Sequence, residues 1–124
     1  MYRILVVDDE PHVRWIIART LRGEGYTVVE TPDGLSAWQL IGRAADRFDL
    51  VVTDSRMPGL TGSDLIERLR KLDPATRILR VSGSQPKDPV PPHPATDIPT
   101  LYKPFLPGEL IQAVQGILGE ESGP

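Results

Sequence analysis

Residues 50–62, LVVTDSRMPGLTG, decide the fold of this chain of 124 residues. The run LVV at 50–52 is apolar, rich in β-branched residues and too short for a helix, which predicts a buried β-strand. Asp54 follows this run closely, and MPG at 57–59 then turns the chain. In an open α/β sheet, ligands bind beyond the carboxyl ends of the strands. Asp54 is therefore predicted to lie at a functional site.

Three other apolar runs also end in polar groups. Because parallel strands that alternate with helices bring their carboxyl ends to one edge of a sheet, these groups are expected to converge near Asp54. The runs are Ile4–Val7, followed by Asp8, Asp9 and Glu10; Ile78–Val81, followed by Ser82; and Thr100–Tyr102, followed by Lys103. The predicted edge thus combines an acidic pair, a further aspartate, a hydroxyl group and an ammonium group.

Four motifs carry a family resemblance. They are VVDDE at 6–10, VVTDSRMPGLTG at 51–62, VSGS at 81–84 and YKPF at 102–105. In this order and spacing, they resemble the receiver domain of two-component response regulators and hybrid sensor kinases. The resemblance implies a flavodoxin-like, doubly wound five-stranded parallel sheet of order 2-1-3-4-5, with helices on both faces. It also implies a CheY-like phosphoprotein in phosphorelay signal transduction, and a cytoplasmic location is expected because the sequence shows no signal peptide or membrane-spanning run.

The resemblance also assigns roles to individual residues. Asp54 would accept a phosphoryl group from a histidine kinase or histidine phosphotransfer domain and switch an attached output domain or partner protein. Asp8, Asp9 and Asp54, with the main-chain carbonyl of Arg56, would bind Mg²⁺. Ser82 would be the switch hydroxyl, and Lys103 would contact the phosphoryl group. Such a domain is a signalling module rather than a general enzyme, since it catalyses only its own phosphorylation and slow dephosphorylation.

The chemistry of these residues agrees with that assignment. Phosphoryl transfer depends on alignment and on charge neutralisation, which Mg²⁺ on carboxylates and a lysine opposite it provide. Taken singly, Asp8 or Asp9 could cap a helix, Asp54 could be a turn residue and Lys103 a solvated lysine. Their joint placement at consecutive strand ends favours a phosphoryl site.

Other functions fit the motifs less well. A phosphatase of the haloacid dehalogenase type has the motif D-x-D after its first strand, and a flavodoxin has a Ser/Thr-rich phosphate loop there. The residues DDE at 8–10 match neither pattern. A degenerate receiver that binds proteins without phosphorylation is the remaining alternative, although every chemical residue is present.

Composition is consistent with one small domain. With 40% hydrophobic residues, 124 residues suit a single core, predicted at 1–119, followed by a tail or linker start at 120–124. There is no cysteine, and hence no disulfide. A net charge of -3 without a basic block argues against direct nucleic-acid binding. Neither a signal peptide nor a membrane-spanning run is recognisable.

The helices follow from periodicity and end signals. Pro11 suits a first helical turn, and the glycines at 23 and 25 suit its end. A second helix after Asp33-Gly34 is predicted to bury Leu35, Trp38, Ile41 and Ala45, and a third after Gly62 to bury Leu65, Ile66, Leu69 and Leu72. The last is predicted over 107–118. In the family the first helix docks the histidine-containing partner, so Arg14 and Trp15 are candidate contacts.

One segment departs from the family pattern. Between Pro86 and Pro99, six of fourteen residues are proline, which prevents a regular helix. We predict that an extended proline-rich loop replaces the usual fourth helix. Because that face commonly serves output and dimerisation in receivers, family-style dimerisation is in doubt, and a weak homodimer is the most we expect.

The switch also departs from the pattern. The family places an aromatic residue three positions before the lysine, which here is Thr100. Tyr102 lies on the same face by strand alternation and is the candidate substitute, unless aromatic coupling is absent. Arg80 shares this face with Ser82, and we expect it to reach solvent or to stack on Tyr102.

Overall fold

The computed structural model describes residues 2–43, 47–54, 61–73, 75–83 and 98–119. In this part of the chain, strands and helices alternate until β4, which is followed by β5 and the last helix. The elements are β1 (Arg3–Val7), α1 (Pro11–Gly23), β2 (Thr27–Thr31), α2 (Gly34–Arg43), β3 (Leu50–Asp54), α3 (Gly62–Leu72), β4 (Arg77–Ser82), β5 (Thr100–Tyr102) and α4 (Pro107–Leu118).

The five strands form one sheet in the order β2-β1-β3-β4-β5, and every neighbouring pair is parallel. The predicted doubly wound fold is therefore confirmed. Strand order reverses direction at β1 and β3, so the crevice beyond their carboxyl ends is the expected binding position in such a sheet. The register pairs Val7 with Thr53 and Asp54 with Val81, which brings the ends of three central strands level.

The core lies on both faces of the sheet. On one face, Ile4, Val6 and Val52 pack with α1 and α4. On the other face, Leu5, Val7 and Val51 pack with α2 and α3. Central strands that are covered on both sides have no polar face, which explains the continuous apolar runs in the sequence. Burial of this kind is worth roughly 25 cal/mol per Å² of apolar surface and supplies the main driving force for folding.

Local signals set the helix ends close to their predicted positions. Pro11 opens α1, where a missing backbone donor costs nothing. Thr61 and Asp64 form a reciprocal capping box at the start of α3, and Asp73 ends that helix. Gly119 ends α4 at φ 77°, a left-handed conformation that glycine adopts without steric penalty.

Two predicted core positions are wrong. Leu35 is 55% exposed and Leu72 is 57% exposed. In α2 the buried residues are Gly34 and Ala37, while Trp38 packs at the edge of the core. The buried face of α2 is the one that contains the small residues Gly34 and Ala37, and Leu35 lies off that face.

Several predictions concern residues outside the described ranges. They include Ala45, Arg56, the tail at 120–124 and most of the proline-rich segment. Of that segment, Ile98 and Pro99 are described, and Ile98 is buried in the cluster with Leu65 and Ile66. Within the described residues, no helix has the length and apolar character needed to cross a bilayer.

Candidate functional site

Four parallel strands deliver the candidate site residues to one edge of the sheet. Asp8 directly follows β1, Asp54 is the last residue of β3, Ser82 is the last residue of β4, and Lys103 directly follows β5. Asp8, Asp54 and Ser82 are almost fully buried, at 1%, 7% and 0% exposure. Because buried polar groups are costly unless paired, this edge is a built site rather than a solvated rim.

Lys103 is the centre of the site. Its Nζ donates to Asp8 Oδ2 at 3.1 Å and to Asp54 Oδ2 at 3.2 Å. Burial by itself lowers the pKa of Lys103, but the charge of Asp54 and the hydrogen bond and charge of Asp8 outweigh it, so the pKa is raised. The ammonium group therefore stays protonated at neutral pH and balances part of the negative charge.

Asp8 is held on all sides. Its Oδ1 accepts from the Glu10 N–H at 2.9 Å, and its own N–H donates to the Thr31 carbonyl at 3.2 Å. Burial raises the pKa of Asp8, and the opposing effects of the Glu10 N–H and Lys103 do not cancel it. The N-cap of α1 is Glu10, without a side-chain capping bond, so Asp8 and Asp9 do not act as helix caps here.

The ends of β4 and β5 are tied together. The Lys103 N–H donates to the Ser82 carbonyl at 2.7 Å. This hydrogen bond places Lys103 and Ser82 at the same level along the two strands. A Cβ added at Gly83 would lie 3.8 Å from Lys103 Cδ, which is an ordinary contact distance. The hydroxyl-bearing strand and the lysine-bearing strand are thus coupled through the backbone.

Asp8, Asp9 and Asp54 form an acidic group that suits a cation. Each offers a carboxylate oxygen, and these oxygens lie within 4.8 Å of one another. Asp9 is exposed, so the group opens to solvent on one side. Hard carboxylate oxygens at a partly open site are what Mg²⁺ prefers, because it retains several of its waters. The predicted Arg56 carbonyl lies outside the described residues.

The switch candidates Ser82, Thr100 and Tyr102 lie in the paired strands β4 and β5. Thr100 Oγ1 accepts from Arg80 Nε at 3.0 Å, and Tyr102 is 54% exposed. Arg80 therefore contacts its register partner in β5, the position at which the resemblance implies an aromatic residue. Its Nη1 is buried and has no hydrogen-bond partner among the described residues. Stacking of Arg80 on Tyr102 is not among the cation–π contacts of these residues.

The two docking candidates differ in their surroundings. Trp15 is 49% exposed, and the Arg19 guanidinium lies 5.0 Å from its ring centroid. Arg14 instead is largely enclosed, with Nη1 donating to the Asp8 carbonyl at 2.8 Å. Trp15 is thus available for a partner, while Arg14 is engaged inside the domain.

An open cavity adjoins the site. Its volume is about 440 Å³, and it lies between α1 and the loop after β5, beside Lys103. The lining residues are Glu10, Val13, Ile16, Gly83, Lys103, Pro104 and Phe105. A second cavity, of about 430 Å³, lies at the opposite edge of the sheet between α2 and α3, away from the acidic group.

Sequence reasoning did not identify Glu30. Its carboxylate lies between Arg14 Nε, at 3.7 Å, and Arg22 Nη1, at 3.1 Å. The available signal was an acid near the end of the otherwise apolar β2 run, VVET. The contact of Arg14 with a backbone carbonyl leaves no such signal.

Comparison with known proteins agrees with this geometry. Residues 4–115 match the family model described as the response regulator receiver domain. The chain belongs to this family, and it is a receiver domain of the two-component signalling type.

Individual relatives support the assignment. The response regulator receiver protein CpdR of Brucella abortus is 30% identical over 122 residues, covering 95% of this chain and 98% of CpdR. The chemotaxis protein CheY4 of Vibrio cholerae is 30% identical with a TM-score of 0.83, covering 95% of this chain and 99% of CheY4. TrrA of Thermotoga maritima, solved in complex with Mg²⁺–BeF, is 29% identical with a TM-score of 0.78, covering 95% and 100%.

The chain corresponds to part of several larger relatives. It spans 8% of the phosphodiesterase regA of Dictyostelium discoideum, 8% of the sensor kinase CckA of Brucella abortus and 29% of YrkP of Bacillus subtilis.

Proposed function

We propose that Asp54 is the phosphoacceptor of this receiver domain and that Lys103, Ser82 and a Mg²⁺ ion support its phosphorylation. The observation that carries the proposal is the convergence of Asp54 and Asp8 on one ammonium group, with Ser82 at the next strand end. An isolated aspartate at a turn needs no buried lysine, whereas an acceptor that must tolerate a phosphate dianion does.

The acidic group defines where the cation would bind. Asp8, Asp9 and Asp54 would hold Mg²⁺, and the Arg56 carbonyl is proposed as a further ligand. When bound, Mg²⁺ would neutralise the acids and the incoming phosphoryl oxygens.

The protein residues then have separate tasks. An Asp54 carboxylate oxygen forms the new O–P bond while the N–P bond to the donor histidine breaks, and that histidine nitrogen recovers a proton from solvent. Lys103 faces the charge that develops on the phosphoryl oxygens, from a position already 3.2 Å from Asp54. In this proposal the hydroxyl of Ser82, the last residue of β4, donates to a phosphoryl oxygen. Because an acyl phosphate is a mixed anhydride, water slowly hydrolyses it, which breaks the Asp54 O–P bond, releases inorganic phosphate and regenerates the Asp54 carboxylate.

The proposed donor is a histidine kinase or histidine phosphotransfer domain, and the proposed receiver of the signal is an attached output domain or a partner protein. The cavity beside Lys103 supports this, since its apolar side chains, Val13, Ile16 and Phe105, can receive a partner next to the acceptor. Exposed Trp15 lies on the same helix. We also propose that the receiver unit is residues 1–119, because Gly119 ends α4.

The test is intact-mass analysis after incubation with acetyl phosphate and Mg²⁺. The wild type is expected to gain the mass of one phosphoryl group, and the adduct should be removed by hydroxylamine, which cleaves acyl phosphates. Asp54→Asn should gain nothing.

Asp49→Asn is the matched control, because Asp49 precedes the same strand at its opposite end and accepts the Arg3 N–H through its side chain. It should be phosphorylated like the wild type. A wild type that gains no mass, while still binding a kinase, would instead support a degenerate receiver that acts without phosphorylation.

A further inference from the structure

We infer that Arg14 is a positioning residue for the cation site: by holding the Asp8 carbonyl, its guanidinium group orients the Asp8–Asp9 peptide and thereby the Asp9 carboxylate. This inference rests on the proposed Mg²⁺ site and assigns Arg14 a role within the domain rather than at its partner surface.

The Asp8 carbonyl lies between two regular elements. It follows the last residue of β1 and precedes the N-cap of α1, Glu10, whose carbonyl accepts the Arg14 N–H at 3.0 Å. A backbone carbonyl at a buried residue needs a hydrogen-bond donor. Arg14 provides it, with Nη1 at 2.8 Å from the oxygen.

The orientation of this peptide matters most for Asp9. Asp8 has its own restraints, since its two carboxylate oxygens accept from Glu10 and Lys103. The Asp9 carboxylate has no hydrogen-bond donor among the described residues, and it is exposed. Because a peptide unit is planar, fixing the Asp8 carbonyl also fixes the Asp9 nitrogen and Cα. Arg14 therefore restrains the direction in which the Asp9 side chain leaves the backbone.

Arg14 is itself fixed by Glu30. Arg14 Nε lies 3.7 Å from Glu30 Oε1, and Arg22 Nη1 lies 3.1 Å from Glu30 Oε2. Arg22 also donates to the Val28 carbonyl at 2.9 Å, which ties it to β2. In this Arg14–Glu30–Arg22 network one carboxylate is shared by two guanidinium groups, so the positive charge of Arg14 is only partly neutralised.

The sign of the effect separates positioning from simple charge. A positive charge near a cation site repels the cation, so its removal would tighten Mg²⁺ binding if charge were all that mattered. Loss of positioning acts in the opposite direction, because mutation of groups that orient metal ligands typically weakens metal binding by about 10- to 100-fold.

Isothermal titration of the folded chain with MgCl2, in the absence of any phosphodonor, tests the inference. We expect Arg14→Ala to raise the Mg²⁺ Kd by about tenfold. Arg22→Ala is the matched control, since it removes the same charge from the same glutamate but leaves the Arg14–Asp8 contact, and its Kd should stay within about twofold of the wild type. Arg14→Lys keeps one donor for the carbonyl and should recover most of the affinity.

The result that overturns the inference is an Arg14→Ala protein that binds Mg²⁺ as tightly as the wild type or more tightly. Equal weakening by Arg14→Ala and Arg22→Ala would also overturn it. If Arg14→Ala does not fold by circular dichroism, Arg14→Met decides, since it keeps the apolar stem, lacks the donors for the Asp8 carbonyl and should likewise raise the Kd above that of Arg22→Ala. Failure of the wild type to bind Mg²⁺ would reject the proposed metal site itself, whereas a wild type that binds and an indifferent Arg14→Ala reject the positioning role alone.

Discussion

Replacement of Lys103 by methionine would remove the positive charge of the site while keeping most of the side-chain volume. At an effective dielectric constant of about 20, each ion pair of Lys103, at 3.1 and 3.2 Å, has a Coulomb energy of about 5 kcal/mol. Only 17% of the Lys103 side chain is exposed, so the ammonium group is largely desolvated. The cost of this desolvation offsets much of the combined Coulomb energy of the two pairs. Breaking a buried pair from one side typically costs about 3–5 kcal/mol, because the other charge stays buried.

We expect Lys103→Met to lose about 3 kcal/mol of unfolding free energy at pH 7.5 in EDTA, at the lower end of that range. The lower end applies because Asp8, left without Lys103, still accepts the Glu10 N–H. Saturating Mg²⁺ should reduce the difference in unfolding free energy between the wild type and Lys103→Met by about 1 kcal/mol or more. This reduction corresponds to an approximately fivefold to tenfold lower Mg²⁺ Kd in the variant. Mg²⁺ then supplies the missing charge and no longer meets the ammonium group.

The assay is urea unfolding followed by tryptophan fluorescence, with and without Mg²⁺. Lys71→Met, which removes an exposed lysine of α3, is the control and should change stability by less than about 0.5 kcal/mol. The electrostatic reasoning fails if Lys103→Met matches Lys71→Met in EDTA, or if Mg²⁺ stabilises the variant less than the wild type.

Two further predictions concern groups outside the acidic site. Burial raises the pKa of Asp73, but the Ala75 N–H, the Thr76 side chain and Arg47 together lower it below its ordinary value. In an NMR pH titration, Arg47→Ala should therefore return the pKa of Asp73 only part of the way to that ordinary value. A complete return would contradict this order of causes. Because the pKa of Asp73 is lower in the folded state, its contribution to stability is present above the unfolded pKa and is lost as the pH falls through the folded one. Thr100→Val removes the acceptor of Arg80 Nε and should lower the free energy of urea unfolding by about 1–2 kcal/mol. Thr100→Ser keeps the hydroxyl and should lower it clearly less. Equal decreases in the two variants would show that this hydrogen bond contributes little to stability.

The sheet and the position of the site could be predicted because both depend on patterns that are regular along the chain. Apolar strands covered on both faces leave continuous runs in the sequence, and parallel strands place their following residues at one edge. The sequence therefore allowed the ends of β1, β3, β4 and β5 to be placed together. In the structure the residues at these ends, Asp8, Asp54, Ser82 and Lys103, lie at the same edge of the sheet.

Other features could not be predicted because they depend on close packing or on backbone contacts. The buried face of α2 contains the small residues Gly34 and Ala37 rather than Leu35, and a stripe of large apolar residues does not indicate this. The contact of Arg14 with the Asp8 carbonyl involves a group that every residue has, so no residue type marks it. Arg80 was expected to reach solvent or Tyr102, and its bond to Thr100 depends on the register of β4 and β5.

The two cations nearest the acidic group are expected to act on Mg²⁺ in opposite directions, and the reason is which atoms they contact. Lys103 contacts the carboxylate oxygens that the ion would use, so it competes with Mg²⁺ for the same negative charge. Arg14 contacts the main-chain carbonyl of Asp8 and pairs with Glu30, so it restrains the ligands without occupying their carboxylate oxygens. Lys103→Met should therefore tighten Mg²⁺ binding while Arg14→Ala weakens it. If both variants tightened Mg²⁺ binding, net charge rather than contact geometry would govern the site, and if both weakened it, Lys103 would not compete with the ion.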